Sequence, residues 1–393
     1  MKTSRTHVIS SPFRLLQGAL LLYAAGNFLC AAQAGAMQNQ PAIGPNGVIV
    51  QSMFGGQIFG FDIDQAGTEG ILCEAQTTDN GILAAVETFD QATGAIIKVV
   101  KMTETEDDFI CFGVAGRSTA LVEREHVISF LNVQRSFKVL DPLKRNRFTG
   151  NWTPPIDKNH LIAAVSRNQG VRNVAVYAQD LRNFQPVVFS SNVEANTFGP
   201  LVTITDEDFT SGGNPPMAYN STTNQAVLGH AKLGNPFVPG LIATVDLGAG
   251  TFTKFTGVGL GDVNGVAVDP VTNTACTTTE IDFSVEFYDL TNQTGFSQPL
   301  PNATNQFNSG ADVQFDPVNR LFFVAQEHST TAPSGSSIHV YDVAGNLIES
   351  IDGLNFSNAF NVVPAHISLN PNNRTGFVDG PDEGVTQLQG FNY

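Results

Sequence analysis

Histidine and carboxylate side chains recur in this chain at one kind of position, close to where short apolar strands begin or end. Asn264, Asp312 and His366 each stand four or more residues ahead of an Asp or Asn that opens a turn (Asp269, Asp316 and Asn370). Glu125 with His126, His230, Glu280, Glu327 with His328, and Asp379 follow the strand on the far side of such a turn. If those strand ends share one face, the set forms a ring of hard oxygen ligands and imidazoles. Asp312, Glu280 and Asn264 are then candidate ligands for one divalent metal ion, calcium or similar, the only cofactor the pattern suggests. His366, Glu327, His328 and His230 are candidate catalytic residues, an acid–base set acting on a lactone or ester. Strand ends are exposed and favour polar residues in any case, so the same set also arises without a site. Whether the chain is an enzyme stays open at this point.

No motif fixes a reaction. There is no G-x-S-x-G elbow, no G-x-x-x-x-G-K-[ST] phosphate loop and no H-E-x-x-H zinc helix. Asp62-Ile-Asp64-Gln-Ala-Gly67 opens like a calcium loop. Its fifth position is Ala66 and its twelfth is Cys73, where a bidentate glutamate is needed, so a turn is the simpler reading.

The elements that must position these residues form a repeat. Val266-Ala-Val268-Asp269-Pro270-Val-Thr-Asn273 returns as Val313-Gln-Phe315-Asp316-Pro317-Val-Asn319 and as Ile367-Ser-Leu369-Asn370-Pro371-Asn-Asn373. Met217-Ala-Tyr219-Asn220-Ser-Thr-Thr-Asn224 is a looser copy. Apolar residues at every second position put one strand face into a core. The Asp or Asn accepts backbone N–H bonds, and Pro presets φ for the turn. The anchors Asn220, Asp269, Asp316 and Asn370 lie 49, 47 and 54 residues apart. About twenty-five residues on comes a second signal, an aromatic or Val before Asp and a Gly-containing turn. Examples are Phe89-Asp90 to Gly94, Val245-Asp246 to Gly250, Tyr288-Asp289 to Gly295 and Tyr341-Asp342 to Gly345.

One repeat is therefore two hairpins, a four-stranded antiparallel propeller blade. First strands are expected near Gln57, Phe109, Arg147, Pro215, Asn264, Ala311 and Ala365. The expected fold is a single all-β, seven-bladed β-propeller over residues 46–393, with six or eight blades as alternatives because the middle is irregular. Asn192 to Gly213 fits no strand slot and reads as an inserted loop. Asp141-Pro142 also resembles the first turn, which leaves the third blade's register open. The last repeat has three strands, and Gly47 to Met53 is the natural fourth, closing the ring by its termini and removing an exposed edge.

The Asn264-to-Asn273 segment and the Tyr-Asp hairpins resemble the lactonase-like, YVTN and NHL group of propellers. That resemblance is one of repeat style, and it implies lactone hydrolysis, binding or a structural role. Asp90-Gln-Ala-Thr-Gly94 also resembles a quinoprotein turn, but the tryptophan those repeats carry is missing. With Trp152 the only tryptophan, the quinoprotein, WD40 and Asp-box sialidase patterns are disfavoured.

Residues 1–34 read as a signal peptide. Lys2, Arg5 and Arg14 precede the apolar stretch Leu15 to Leu22, and small residues at Ala32, Ala34 and Ala36 suit a signal peptidase. Residues 35–45 read as a linker. The expected product is secreted or extracytoplasmic, with no membrane span. Without the leader, 17 basic residues face 36 acidic ones. That balance argues against nucleic acid as a partner, whose phosphates need a basic footprint, and is compatible with cationic partners. Three cysteines remain, and Cys73 with Cys111 is the expected disulfide, against the alternative of three buried thiols. Six sequons, at Asn151, Asn220, Asn292, Asn302, Asn355 and Asn373, are potential glycan sites. The expected function is a binding or scaffold propeller that recognises a small molecule, polymer or protein at the face around its central channel. The alternative is a lactonase-type hydrolase built on the ring of residues above.

Overall fold

A computed structural model describes residues 42–393 apart from 56, 64–67, 79–80, 102–110, 115–118, 124–136, 142–146, 158, 167–172, 193–194, 211–214, 231–237, 280, 302–309, 327–335, 355–366 and 380–386. The expected leader lies outside these residues.

The chain opens with β1 (Gly44–Gln51). The first sheet follows as β2 (Gln57–Ile63), β3 (Glu69–Thr78), β4 (Gly81–Asp90) and β5 (Ile96–Lys101). The second is β6 (Cys111–Val114), β7 (Thr119–Glu123), β8 (Phe137–Asp141) and β9 (Arg147–Trp152). The third is β10 (His160–Val165), β11 (Asn173–Asp180) and β12 (Pro186–Asn192), with β13 (Thr197–Phe198) and β14 (Val202–Thr203) both on β12. The fourth is β15 (Met217–Asn220), β16 (Gln225–His230), β17 (Pro239–Asp246) and β18 (Thr251–Leu260). The fifth is β19 (Val263–Asp269), β20 (Thr274–Thr279), β21 (Ser284–Asp289) and β22 (Thr294–Pro299). The sixth is β23 (Gly310–Asp316), β24 (Leu321–Gln326), β25 (Ser336–Asp342) and β26 (Leu347–Leu354). The closing sheet is β27 (Ile367–Asn370), β28 (Thr375–Asp379) and β29 (Gln387–Asn392), completed by β1.

Every pairing within these sheets is antiparallel, and β1 lies on β29 with Val50 opposite Leu388. Contacts between first strands run from β15 to β19, β23, β27, β2 and β6 in turn. Apolar side chains fill the gaps between neighbouring sheets. Ala267, Cys276 and Phe287 of the fifth meet Val313, Phe322 and Tyr341 of the sixth. Val50, Phe377 and Leu388 of the closing sheet meet Phe61, Leu72 and Phe89 of the first. Burial falls from inner to outer strands: β23 is buried throughout, whereas β22 is largely exposed.

The expectation of seven four-stranded blades is corrected by these pairings. Six sheets are four-stranded, and the third has five strands because its outer edge is split between β13 and β14. Asn196 at φ 51° and the Gly199-Pro200 step break that edge, and Ile204 and Phe209 then drop into the core shared with the fourth sheet. The segment expected to be an inserted loop therefore carries this split outer strand. The third sheet also starts at His160 rather than Arg147, which opens the outer strand of the second sheet. The misreading came from Asp141-Pro142, since Asp141 ends a third strand and pairs with Arg147.

The turn chemistry expected from sequence is present. Asp269 accepts the Val271 N–H at 3.0 Å, Asp316 those of Val318 at 2.8 Å and Asn319 at 2.9 Å, and Asn220 that of Thr222 at 3.0 Å. These turns end in the left-handed region at Asn224, Asn273, Arg320 and Arg374, where Asn is the best tolerated side chain after Gly. Two of the aromatics before the second Asp, and Phe391 before Asn392, each face a glycine. Phe89 lies opposite Gly70, Tyr288 opposite Gly295 and Phe391 opposite Gly376. A Cβ on those glycines would meet the facing ring at 2.1, 2.5 and 2.3 Å, so each ring covers a bare strand position.

Candidate functional site at one end of the strands

Antiparallel order divides the connections between two ends of the sheets. At one end lie the tight turns within residues 270–273, 317–320 and 371–374 and within 91–95, 247–250, 290–293 and 343–346. At the other end the connections include 124–136, 231–238, 301–309, 327–335 and 355–366. First strands start there and second strands end there, so the candidates Asn264, Asp312 and His230 belong to that end.

Asn264 and Asp312 lie near the starts of the adjacent strands β19 and β23, five and four residues ahead of Asp269 and Asp316. Asn264 Nδ2 donates to the Gly310 carbonyl at 2.9 Å. Asp312 Oδ2 accepts the Ile367 N–H at 2.9 Å, and the residue is 5% exposed. Each side chain thus ties its inner strand to the next sheet. The strands approach closely at Gly265, where a Cβ would stand 2.6 Å from the Val313 nitrogen. His230 ends β16, half-buried, with its ring 5.0 Å from that of Phe209. Glu125, His126, Glu280, Glu327, His328 and His366 lie outside the described residues, as does the Asp379 side chain at the end of β28. Among the described residues no group of three or more His, Cys, Asp or Glu is placed to hold a metal ion.

Sequence reasoning missed a second polar set inside the sheets. Glu87, Glu286 and His339 each stand three residues before the Asp that ends a third strand (Asp90, Asp289 and Asp342), and all are buried. Glu286 accepts from Thr277 Oγ1 at 2.7 Å, Thr279 Oγ1 at 3.1 Å and Ser284 Oγ at 2.5 Å. Burial, only partly offset by those hydroxyls, pushes its carboxyl up to about 7. Burial, and then Glu286, push the Cys276 thiol well up. The ring nitrogens of His339 bond Gln326 and Ser350 in its own sheet. The signal available in sequence was the constant offset from the turn Asp. The expected Cys73–Cys111 pairing concerns side chains outside those described.

At the opposite end the turns interlock from sheet to sheet. Asn220 Nδ2 donates to Asn273 Oδ1 at 2.8 Å, Asn370 Nδ2 to Gln91 Oε1 at 2.8 Å, and Arg320 forms an ion pair with Asp269. Asp269 is fully buried. Burial opposes its charge, yet Thr272, the Arg320 guanidinium and the Val271 amide prevail and hold the carboxyl below its ordinary range. The sequon at Asn220 is likewise buried and engaged, whereas Asn292 and Asn373 are exposed.

Two solved structures share this arrangement along most of the chain. A structure of U3-55K and a crystal structure of the RRP9 WD40 repeats each superpose with a TM-score of 0.60 at 9% identity. Both likenesses cover 89% of this chain, and 100% and 99% of theirs. The fold is a β-propeller. The propeller repeat read from sequence is thereby shown, and its structural neighbours are WD40 propellers despite the single tryptophan. No family model matches the sequence, and no curated protein matches it either. Among the described residues of this propeller no helix is long and apolar enough to cross a membrane.

Proposed function

We propose that this chain is an exported binding propeller whose partner, a small molecule, polymer or protein, docks on the end bearing the long connections. The observation that carries the reading is the contrast between the two ends. One end is closed by short, Asp- and Asn-capped turns that bond to each other, which leaves little adaptable surface. The other gathers the long segments, and binding residues concentrate on such loops when a rigid scaffold holds them. The inner-strand side chains Asn264 and Asp312 serve that rigidity, being spent on sheet-to-sheet bonds. The acidic balance favours a cationic or neutral partner over nucleic acid. The likeness to WD40 propellers is compatible with a scaffold role. The finer lactonase-like reading would need Glu280, Glu327, His328 and His366 to converge with residues already committed to the scaffold.

Photo-crosslinking separates these readings. A crosslinking residue at exposed Asp262, on the long-connection end, is expected to capture one discrete partner from the exported fraction. The same residue at exposed Val271 or Val318, on the turn end, is expected to capture none. Equal labelling from both ends would overturn the reading. So would hydrolysis of any lactone in a panel that His366→Ala or Glu327→Ala abolishes.

A further inference from the structure

The sixth sheet holds a serine, a histidine and a glutamine in a bonded line across three strands. Register places them: His339 on β25 lies opposite Ser350 on β26 and Val324 on β24, and Gln326, two residues beyond Val324, shares the same face. Ser350 Oγ stands 2.8 Å from His339 Nδ1, and His339 Nε2 stands 2.5 Å from Gln326 Oε1. An amide oxygen only accepts, so Nε2 carries a proton and donates to it. In the neutral ring Nδ1 is then the acceptor, and the Ser350 hydroxyl donates to it. That is the order a base-activated nucleophile needs, a hydroxyl on one imidazole nitrogen and a third group fixing ring and tautomer through the other. His339 and Gln326 are each 1% exposed, whereas Ser350, on the outer strand, is only half-buried. We propose that Ser350 is a nucleophile activated by His339, and that it accepts the acyl group of an ester with an apolar acyl chain.

The surroundings give the site its substrate class. The face that carries the three residues also carries Phe322 and Tyr341 and turns toward Phe287 of the fifth sheet. Ile338 and Val340 turn the other way, toward the closing sheet. Leu347, opposite Tyr341, is 45% exposed, and Phe296 of the fifth sheet, 49% exposed, stacks on Phe287 and lies against Gly345. The two form an apolar lip on the turn side of Ser350, fit for an apolar chain. On its other side Asp352 accepts from Ser337 Oγ at 2.7 Å, so the rim there is polar. In the acyl transfer, Ser350 Oγ bonds to the carbonyl carbon while its proton moves to His339 Nδ1. The carbon–oxygen bond to the leaving group then breaks, and the imidazolium returns the proton to the departing oxygen, which leaves as an alcohol. Water attacks the acyl-serine by the same route, passing a proton through His339 to Ser350 Oγ and releasing the carboxylic acid. The site lies in the body of one sheet and does not depend on which end of the ring docks a partner.

A fluorophosphonate probe tests this on the folded protein. An activated serine displaces fluoride from its phosphorus, and peptide mapping reads where the adduct sits. Wild type is expected to carry the adduct on Ser350, and p-nitrophenyl butyrate is expected to acylate the same residue faster than p-nitrophenyl acetate does. Ser350→Ala should lose both reactions. A positioned base contributes about 10²–10⁴-fold, so His339→Gln should slow labelling at least about a hundredfold, with a melting curve to show that the variant is folded. His339 is buried, and Gln326 supplies a second pair of variants should His339→Gln fail to fold. Gln326→Glu keeps an acceptor on Nε2 and should still be labelled, whereas Gln326→Leu removes it and should be labelled more slowly. A bond that serves only to hold the strands together would leave Ser350 no more reactive than any other serine. Absence of an adduct on Ser350 in wild type, or labelling as fast in folded His339→Gln or Gln326→Leu as in wild type, would contradict the proposal.

Discussion

Glu286 shows what a single buried acid does to the whole ring. Its ordinary carboxyl value is 4.5 and burial raises it to about 7 in the folded chain. Its contribution is therefore complete below about 4.5 and is lost as the pH rises through 7. The span corresponds to about 3 kcal/mol. The melting temperature should fall between pH 5 and pH 8, and Glu286→Gln should remove part of that slope while melting higher than wild type at pH 8. A variant whose slope equals that of wild type would show that Glu286 does not titrate in this window. Asp269 has the opposite sign: its lowered carboxyl contributes above the ordinary carboxylate range and loses its effect in acid. Asp269→Ala removes the acceptor for Val271 and Thr272 and leaves Arg320 without its carboxylate. We expect a cost of about 3 kcal/mol in denaturant melts at pH 7. Asp269 was legible in the sequence because turn chemistry is local. Glu286 was not, because in Ser284-Val-Glu-Phe-Tyr288 an alternate glutamate reads as solvent-facing until the strands on either side are known.

Among the elements, the strands that follow Asp-Pro or Asn-Pro turns were readable, and so was the pairing of an N-terminal strand with the last repeat. Both rest on patterns within a few residues or on a missing fourth strand. The second and third sheets were misplaced because Asp141-Pro142 imitates a first turn at the end of a third strand, and because two-residue strands such as Thr197–Phe198 and Val202–Thr203 have no period to detect. At Phe89 and Tyr288 the aromatic–Asp signal had a cause that only pairing reveals, a ring laid over a glycine in the neighbouring strand, as Phe391 is over Gly376. Gly376→Val should consequently force the Phe391 ring out of its place in the core and destabilise the protein by about 2 kcal/mol in denaturant melts. An unchanged midpoint would mean that the ring moves aside freely. Removing β1 tests the closure on a larger scale. A chain starting at residue 54 loses Val50 from the core between the closing and first sheets and exposes the edge of β29. Its single melting transition should shift down for the whole ring; an unaltered melting temperature would show that β1 adds nothing to closure.

At the scale of the whole molecule, we propose that the Asp312 carboxylate and the Asn264 amide at the inner strand starts serve to build the ring, each through a bond to the next sheet. The sequence showed that Asn264 and Asp312 fall at one end of the strands, but a strand start is a place where ligands and structural bonds look alike. The structural bonds become visible only with the neighbouring sheet, which supplies the Gly310 carbonyl and the Ile367 amide. The most direct measurement is the melting temperature of wild type and Asp312→Ala, each in EDTA and in millimolar calcium, magnesium, manganese or zinc. Loss of one buried acceptor for a backbone amide should lower stability by about 1–3 kcal/mol, and the account predicts the same difference between the two proteins in EDTA as in every ion. A difference that vanishes in EDTA and opens only with one ion would make Asp312 a ligand and contradict the account.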